Sequence, residues 1–358
     1  MNPLDEQAPL SARMRLRPSG YPDPPPRLGA AGAGLGILVN ANAKRGGRRV
    51  AAQLTRALPG ASVRLTRRIE EIDEWLATLR DMRGVLAAGG DGTAQGLLTA
   101  IERRRQQGLP IWPVGAMPLG TGNAWAHALG AHKLDGCVRW LASNDGPLPT
   151  RRYTLLRCEG LVTFFAGSGW DAELLNDYRD QLKDSRGPLR NVNKTAYGYV
   201  SAMLTRTFPK ALLAGRPRVL VECLSDEVYG LDAHGVPVRL EGPARGRVLY
   251  DGPTSSAGAA TCPEFGFRFR AFPFAERFPG LINVRVYDQK PVRAVAHVPK
   301  LWGGVFPLEG MHDFFCTKAR MTFSREVPLQ IGGEAVGKRK TVELEACPAL
   351  DAIDWRGL

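Results

Sequence analysis

Nothing in the 358-residue chain is long and apolar enough to span a bilayer. The uncharged run Leu28 to Ala43 is rich in Gly and Ala and includes Asn40 and Asn42, which excludes a transmembrane helix there. The first 30 residues lack the charged-then-apolar pattern of a secretory signal, so a disordered tail over 1–33 of a cytoplasmic protein is expected. Six cysteines, at 137, 158, 223, 262, 316 and 347, fall in no close pair and no C-x-x-C spacing, which argues against disulfides and against a zinc site. The histidines are scattered, with no H-x-x-x-H pair and no matched Ser or Cys, and no internal repeat is present. Acidic residues are the scarcer charge: 35 Asp and Glu face 48 Lys and Arg, a net charge of +13. Such an excess attracts anionic partners, among them nucleotides, nucleic acid and the cytoplasmic membrane leaflet. No zinc-finger or RNP module interleaves aromatics with the basic clusters at 44–49, 64–68, 103–105 and 151–152, so no nucleic-acid partner is expected.

What the chain does have is two glycine loops, GGDGT at 89–93 and PLGTGN at 118–123, each leaving an apolar run and entering a helical pattern. Glycine at a strand-to-helix junction lets backbone N–H groups approach an anion, and the following helix dipole favours negative charge. Asp91 is the unexpected member of such a loop. A carboxylate beside phosphates needs a divalent metal or a proton between them, which points to phosphoryl transfer.

The first half alternates strand and helix signals. LGILVN at 35–40, VRLT at 63–66, Val85 to Ala88 and Ile111 to Met117 predict strands. Between them Val50, Leu54 and Leu58, then Ile72, Trp75, Leu76 and Leu79, recur at helical spacing. The βα alternation predicts an open parallel sheet with helices on both faces and ligands at the carboxyl ends of its strands. After SNDGPLP at 143–149 the pattern becomes β-rich. Strands are expected in YTLLRCE (153–159), LVTFFAG (161–167), PRVLVECL (217–224), GFRFRAF (266–272), LINVRVYD (281–288) and TVELEA (341–346). Helices are expected near 171–183 and 193–206, the latter with Tyr197, Val200 and Leu204 on one face, and 251–265 reads as a mobile loop. The expected domains are 34–148, an α/β nucleotide-binding unit; 149–340, a β-rich substrate unit; and a C-terminal strand or tail over 341–358.

GGDGT, followed about 25 residues later by PLGTGN, with an Asn-bearing strand end before and a β-rich half after, resembles the catalytic domain of diacylglycerol and sphingosine kinases. FFAGSGWDAEL at 164–174 looks like that family's interdomain motif, and PLQIGGEAVG at 328–337 like its late D-G-E turn. The resemblance implies an α/β lobe with an open parallel sheet like that of NAD kinases, a β-sandwich-rich second lobe, and a nucleotide cleft between them, with the C-terminal tail packed back on the first lobe. It implies an ATP- and Mg²⁺-dependent lipid kinase, peripheral at the inner, anionic membrane face, acting on a diacylglycerol-like, sphingoid or ceramide hydroxyl. A homodimer and a monomer both stay open.

Carried over residue by residue, the resemblance places Asn40, Gly89, Gly90, Gly92, Thr93, Gly120, Thr121, Gly122 and Asn123 around the nucleotide, and Lys44, which departs from the family, is expected to add a phosphate contact there. Asp91 would take the hydroxyl proton or hold Mg²⁺ through water, Glu334 would be a second catalytic acid, and Trp170 and Asp171 would touch substrate. Four positions depart from the family. Ala41 and Lys44 replace its Pro and Gly, Gly96 stands where a nucleotide-facing Glu is usual, and Gly332 stands where the D-G-E turn has Asp. The alternatives are therefore a catalytically silent nucleotide or lipid binder and a soluble-substrate kinase resembling NAD kinase.

Overall fold

The computed structural model describes residues 30–41, 46–120, 122–186, 192–193, 196–265 and 268–356. In the first lobe, β1 (Leu35–Asn40), β2 (Ser62–Thr66), β3 (Gly84–Gly89) and β4 (Val114–Pro118) alternate with α1 (Gly47–Ala57), α2 (Glu70–Thr78) and α3 (Asp91–Gln106). The short α4 (Ala124–Ala128), α5 (Leu134–Ser143) and β5 (Thr150–Tyr153) follow. β1 pairs in parallel with β2 and β3, and β3 with β4. β1 and β3 are almost wholly buried because helices cover both faces, which explains runs that are apolar throughout and not alternating. Val50 and Leu54 of α1 and Ile72, Trp75 and Leu76 of α2 supply the covering stripes.

The second lobe begins with β6 (Leu156–Cys158), β7 (Leu161–Thr163) and β8 (Phe165–Gly169) and continues through α6 (Trp170–Asp184) and α7 (Ala196–Ala202). A π-helical turn (Met203–Thr207) leads into α8 (Phe208–Ala214). Then come β9 (Arg218–Cys223), β10 (Tyr229–Leu231), β11 (Pro237–Arg239), β12 (Val248–Pro253), β13 (Ser256–Ala260), β14 (Ile282–Tyr287) and α9 (Pro291–Gly303). The chain ends through β15 (Met311–Cys316), β16 (Lys318–Ile331), β17 (Glu334–Ala346) and β18 (Leu350–Ile353). The sandwich expected of this half is built from one continuous 12-stranded antiparallel sheet curled on itself. The long β16 makes the curl: its first half pairs with β9, its last three residues with β8, and all of it runs against β17 across two irregularities.

The last strand returns to the first lobe, where β18 lies between β4, to which it is parallel, and β5, to which it is antiparallel. Gly84 and Gly115 make room for it, since a Cβ on either would sit 3.0 Å from side-chain atoms of Ile353.

Two expectations fail. Residues 251–265 contain the end of β12 and all of β13 instead of a loop, because Ala257, Ala259 and Ala260 are core residues and Gly258 packs against the β8 backbone, where a Cβ would lie 2.5 Å from the Ala166 carbonyl oxygen. Within GFRFRAF, the described residues 268–272 form no strand; Phe269 and Phe272 converge with Phe265 instead of alternating. The helical face of Tyr197, Val200 and Leu204 exists but points outward: these side chains are exposed.

Candidate active site

The two glycine loops leave adjacent parallel strands at the same edge, with Gly89 opposite Pro118. Leu119 and Gly120 both donate backbone N–H groups to the Gly89 carbonyl, at 2.9 and 3.2 Å. Gly120 N–H also donates to Asn123 Oδ1 at 2.8 Å, and Asn123 Nδ2 donates back to the Gly120 carbonyl at 2.9 Å. This clasp holds Asn123 in the left-handed region, φ 55°, which Asn tolerates better than most residues. The loops touch through their glycines: a Cβ on Gly120 would stand 2.4 Å from Gly90 Cα, and one on Gly90 would stand 3.1 Å from Gly120 Cα. Gly89 in turn gives its space to Thr93, whose Oγ1 accepts from Asn40 Nδ2 at 3.3 Å. Asn40, Gly89, Gly90, Thr93, Gly120 and Asn123 therefore form one interlocked unit at the N-terminus of the 16-residue α3, where backbone N–H groups and the dipole favour an anion.

Asp91 is the first residue of α3, and its carboxyl turns toward the other loop, Oδ1 accepting from Trp125 N–H at 3.5 Å. Burial pushes the carboxyl up to about 6; the backbone N–H groups of Trp125, Ala124 and Asn123 and the nearby His127 pull it partly back. His127 Nδ1 lies 3.5 Å from Glu264 Oε2. Glu334 arrives from the second lobe: its Oε1 lies 3.6 Å from where a Cβ on Gly92 would be, so the β16–β17 turn hangs over the first turn of α3.

The departures from the family pattern take physical form. Gly332 has φ 59°, and a Cβ there would stand 2.3 Å from Gln95 Oε1 and 2.7 Å from Thr163 Oγ1. The buried Gln95 thus fills the place an acid at 332 would need, a role that only the folded contact reveals. At Gly96 the expectation needs correction: a Cβ would point at Ile72 of α2, 3.1 Å away, so this position faces helix packing and not the nucleotide. Gly47 is a further constraint that the sequence reading passed over. Its Cβ would lie 2.0 Å from the Asn40 carbonyl oxygen, and the paired glycines at 46 and 47 before the helical spacing were the available signal.

Gly122 lies between the described ends of its loop, whereas Lys44 and Thr121 fall outside the described residues. Asp171 stands in the first turn of α6, and its side chain is likewise outside what is described. Trp170 opens α6 from Gly169, which has φ 110° and lets its chain approach the Ser255 carbonyl, a close contact that Trp170 N–H completes by donating to that oxygen at 2.9 Å.

Trp170 walls an apolar cavity of about 140 Å³ together with Leu174, Met203, Phe265, Phe269 and Ala294. Arg285 also reaches it, but its guanidinium is neutralised by a bidentate pairing with Asp313 at 2.7 and 2.8 Å. A short chain of contacts joins this cavity to the loops. Glu334 overhangs Gly92, Gly332 N–H donates to the Phe165 carbonyl at 2.9 Å, and the Phe165 and Phe265 rings pack with centroids 4.2 Å apart. The cavity wall was legible only as an odd density of phenylalanine between 265 and 274.

Among the described residues no cluster of three or more His, Cys, Asp or Glu could hold a metal ion. Asp91 and Glu334 nonetheless suit Mg²⁺ as it is usually held beside phosphates, by one or two carboxylates with the substrate's own oxygens completing the shell. No helix among the described residues is long and apolar enough to cross a membrane.

Residues 35–145 match the family model described as Diacylglycerol kinase catalytic domain. No curated protein sequence matches the chain. Among solved structures, a diacylglycerol kinase from Bacillus anthracis strain Sterne is similar at 12% identity with a TM-score of 0.59, covering 90% of this chain and 97% of that one. Two further structures from the same strain, with provisional diacylglycerol kinase assignments, are each 14% identical at TM-scores of 0.59 and 0.61, covering 90% of this chain and 98% and 97% of theirs. Those structural similarities establish the two-lobed fold, and the loop-bearing segment 35–145 is similar to the diacylglycerol kinase catalytic domain.

Proposed function

We propose that the protein is an ATP-dependent lipid kinase that transfers a phosphoryl group to a hydroxyl of a diacylglycerol-like, sphingoid or ceramide lipid. The observation that carries this reading is the chain of packing contacts that links the glycine cradle to the wall of the apolar cavity through Glu334, Gly332, Phe165 and Phe265. A charged donor and an apolar acceptor could each find a suitable wall of one cleft.

When bound, ATP supplies the phosphoryl group, with Mg²⁺ to neutralise its charge, and the residues that would hold them are Asn40, Gly89, Gly90, Gly92, Thr93, Gly120, Gly122 and Asn123, with Asp91 and Glu334 for the ion. Thr121 and Asp171 stay in the proposal on the resemblance alone, and Lys44 on the phosphate contact that its charge offers. Such transfer asks the protein mainly for position and electrostatics. Asp91 accepts the proton of the acceptor hydroxyl, a role suited to a carboxyl near 6 that is mostly ionised at neutral pH. Glu334 orients the same hydroxyl from the opposite lobe. Trp170 and the cavity hold the start of an apolar chain, and with Arg285 paired they present no free charge to it.

We place the working protein at an anionic membrane face. Met203 lines the cavity while its neighbour Leu204, with Tyr197, Val200 and Leu213 on the adjoining helices, is exposed to solvent. The net charge of +13 would draw this surface to acidic lipid. Mixed micelles of diacylglycerol, a sphingoid base or ceramide, given ATP and Mg²⁺, should yield one phosphorylated lipid. Intact ATP binding with no phosphorylated lipid from any of them would favour the silent binder, a reading to which the Gln95-filled place beside Gly332 lends support.

A further inference from the structure

Gly92, Gln95, Thr99 and Glu102 recur along α3 at alternate spacings of three and four. That spacing sets them on one face of the helix, about 15 Å from end to end. The face is turned to the second lobe, and its side chains are polar where a packing face is ordinarily apolar. Glu334 stands over Gly92, and Gly332 and Thr163 crowd Gln95. Thr99 Oγ1 accepts from Val162 N–H at 3.0 Å and donates to the Val162 carbonyl at 3.3 Å. The buried Glu102 carboxylate pairs with Arg157 of β6 and with Arg105 of its own helix.

These contacts grip a single rung of the second sheet. Val162 lies opposite Arg157 in the antiparallel β6–β7 hairpin, and β7 is an end strand of the sheet, so its outer edge is open to Thr99. On its other side β6 pairs with β17, Arg157 opposite Glu345, and β17 begins at Glu334. The path from α3 to Glu334 therefore runs through one rung and one strand. Apolar side chains would bury the same face but would tolerate a slide of α3 along β7. A hydroxyl that both gives and takes a bond on one residue, and a buried carboxylate that needs its guanidinium, are satisfied in one register only.

We propose that Thr99, Glu102 and Arg157 are positioning residues that hold Glu334 at its working height over the glycine loops. Thr99 and Glu102 lie about 10 to 15 Å along α3 from Gly92 and act through β6 and β17. What Glu334 does rests on the kinase reading, whereas where it stands rests on the α3 contacts alone.

The test compares wild type with Thr99→Val/Arg157→Met and with the conservative Thr99→Ser/Arg157→Lys. In the first variant Arg105 still pairs with the buried Glu102, and Thr99→Val alone serves if the double variant does not fold. One readout is hydrogen exchange in the turn 330–337 with and without ADP and Mg²⁺, which should slow exchange there in the wild type because Glu334 overhangs the loop that would bind them. The first variant should lose this slowing while its ADP affinity stays within about twofold, and the conservative variant should keep it. The other readout is lipid phosphorylation in mixed micelles. There the first variant should lose about tenfold or more in kcat with KM for ATP unchanged, since a misplacement of about 1 Å can cost about 10²-fold. Wild-type kcat in the first variant below its melting point, or an undiminished slowing by ADP, would reduce the three residues to a stabilising role and overturn the proposal. A wild-type turn indifferent to bound ADP overturns it as well. Absence of phosphorylated lipid from the wild type, with the exchange result as expected, removes the kinase reading and leaves the positioning intact.

Discussion

Asp91 carries two obligations that pull in opposite directions. Its carboxyl is held near 6 instead of its ordinary 3.8 because burial disfavours the ionised form. The native state therefore binds a proton more tightly than the unfolded chain does. The associated stability is complete below pH 3.8 and is lost as pH rises through 6, so at neutral pH the ionised side chain costs on the order of 2 to 3 kcal/mol. Asp91→Asn should consequently be more stable than wild type in urea at pH 7.5, with the gain vanishing near pH 4. The same variant should lose phosphoryl transfer by about 10²–10⁴-fold. A variant that is less stable at pH 7.5, or that turns over normally, would contradict this account of the residue. Wild-type kcat/KM should rise with pH as the Asp91 carboxyl ionises, on a limb that bound Mg²⁺ moves below 6, and a profile flat from 4 to 7 would remove Asp91 as base.

Between elements, the glycine loops make a graded prediction. Gly120→Ala puts a methyl 2.4 Å from Gly90 Cα, whereas Gly90→Ala puts one 3.1 Å from Gly120 Cα, so the first should cost far more ATP affinity. Equal affinities by calorimetry would mean that the loops do not touch as described. These loops were legible in the sequence because a strand, a glycine turn and a helix are local and the residues that define them are contiguous. β13 was not: SAGAA has the composition of a loop, yet it is small because the neighbouring β8 backbone leaves no room for more. Glu334 and Gln95 could be named but not related, since their encounter with Gly92 and Gly332 depends on how the two lobes meet.

Across the whole molecule, β18 proves integral to the first lobe. Ile353 of β18 is fully buried and fills the space left by Gly84 and Gly115. Ile353→Ala should cost about 2–5 kcal/mol in denaturant unfolding. A cost below 1 kcal/mol would show that β18 is dispensable to the sheet. The four-residue LDAI carries too little pattern to reveal this by itself, because its partners in β4 and β5 lie roughly 200 residues earlier. The two lobes together define the central claim, that one cleft serves a nucleotide at its glycine loops and a lipid chain at its apolar cavity. The most direct test measures phosphate transfer from labelled ATP to a long-chain lipid acceptor in mixed micelles, with wild type, Asp91→Asn and the cavity-filling Ala294→Phe side by side. The account predicts labelled lipid from wild type, essentially none from Asp91→Asn, and a raised KM for lipid but not for ATP in Ala294→Phe. Equal turnover by all three, or no labelled lipid from a wild type that binds ATP, would contradict it.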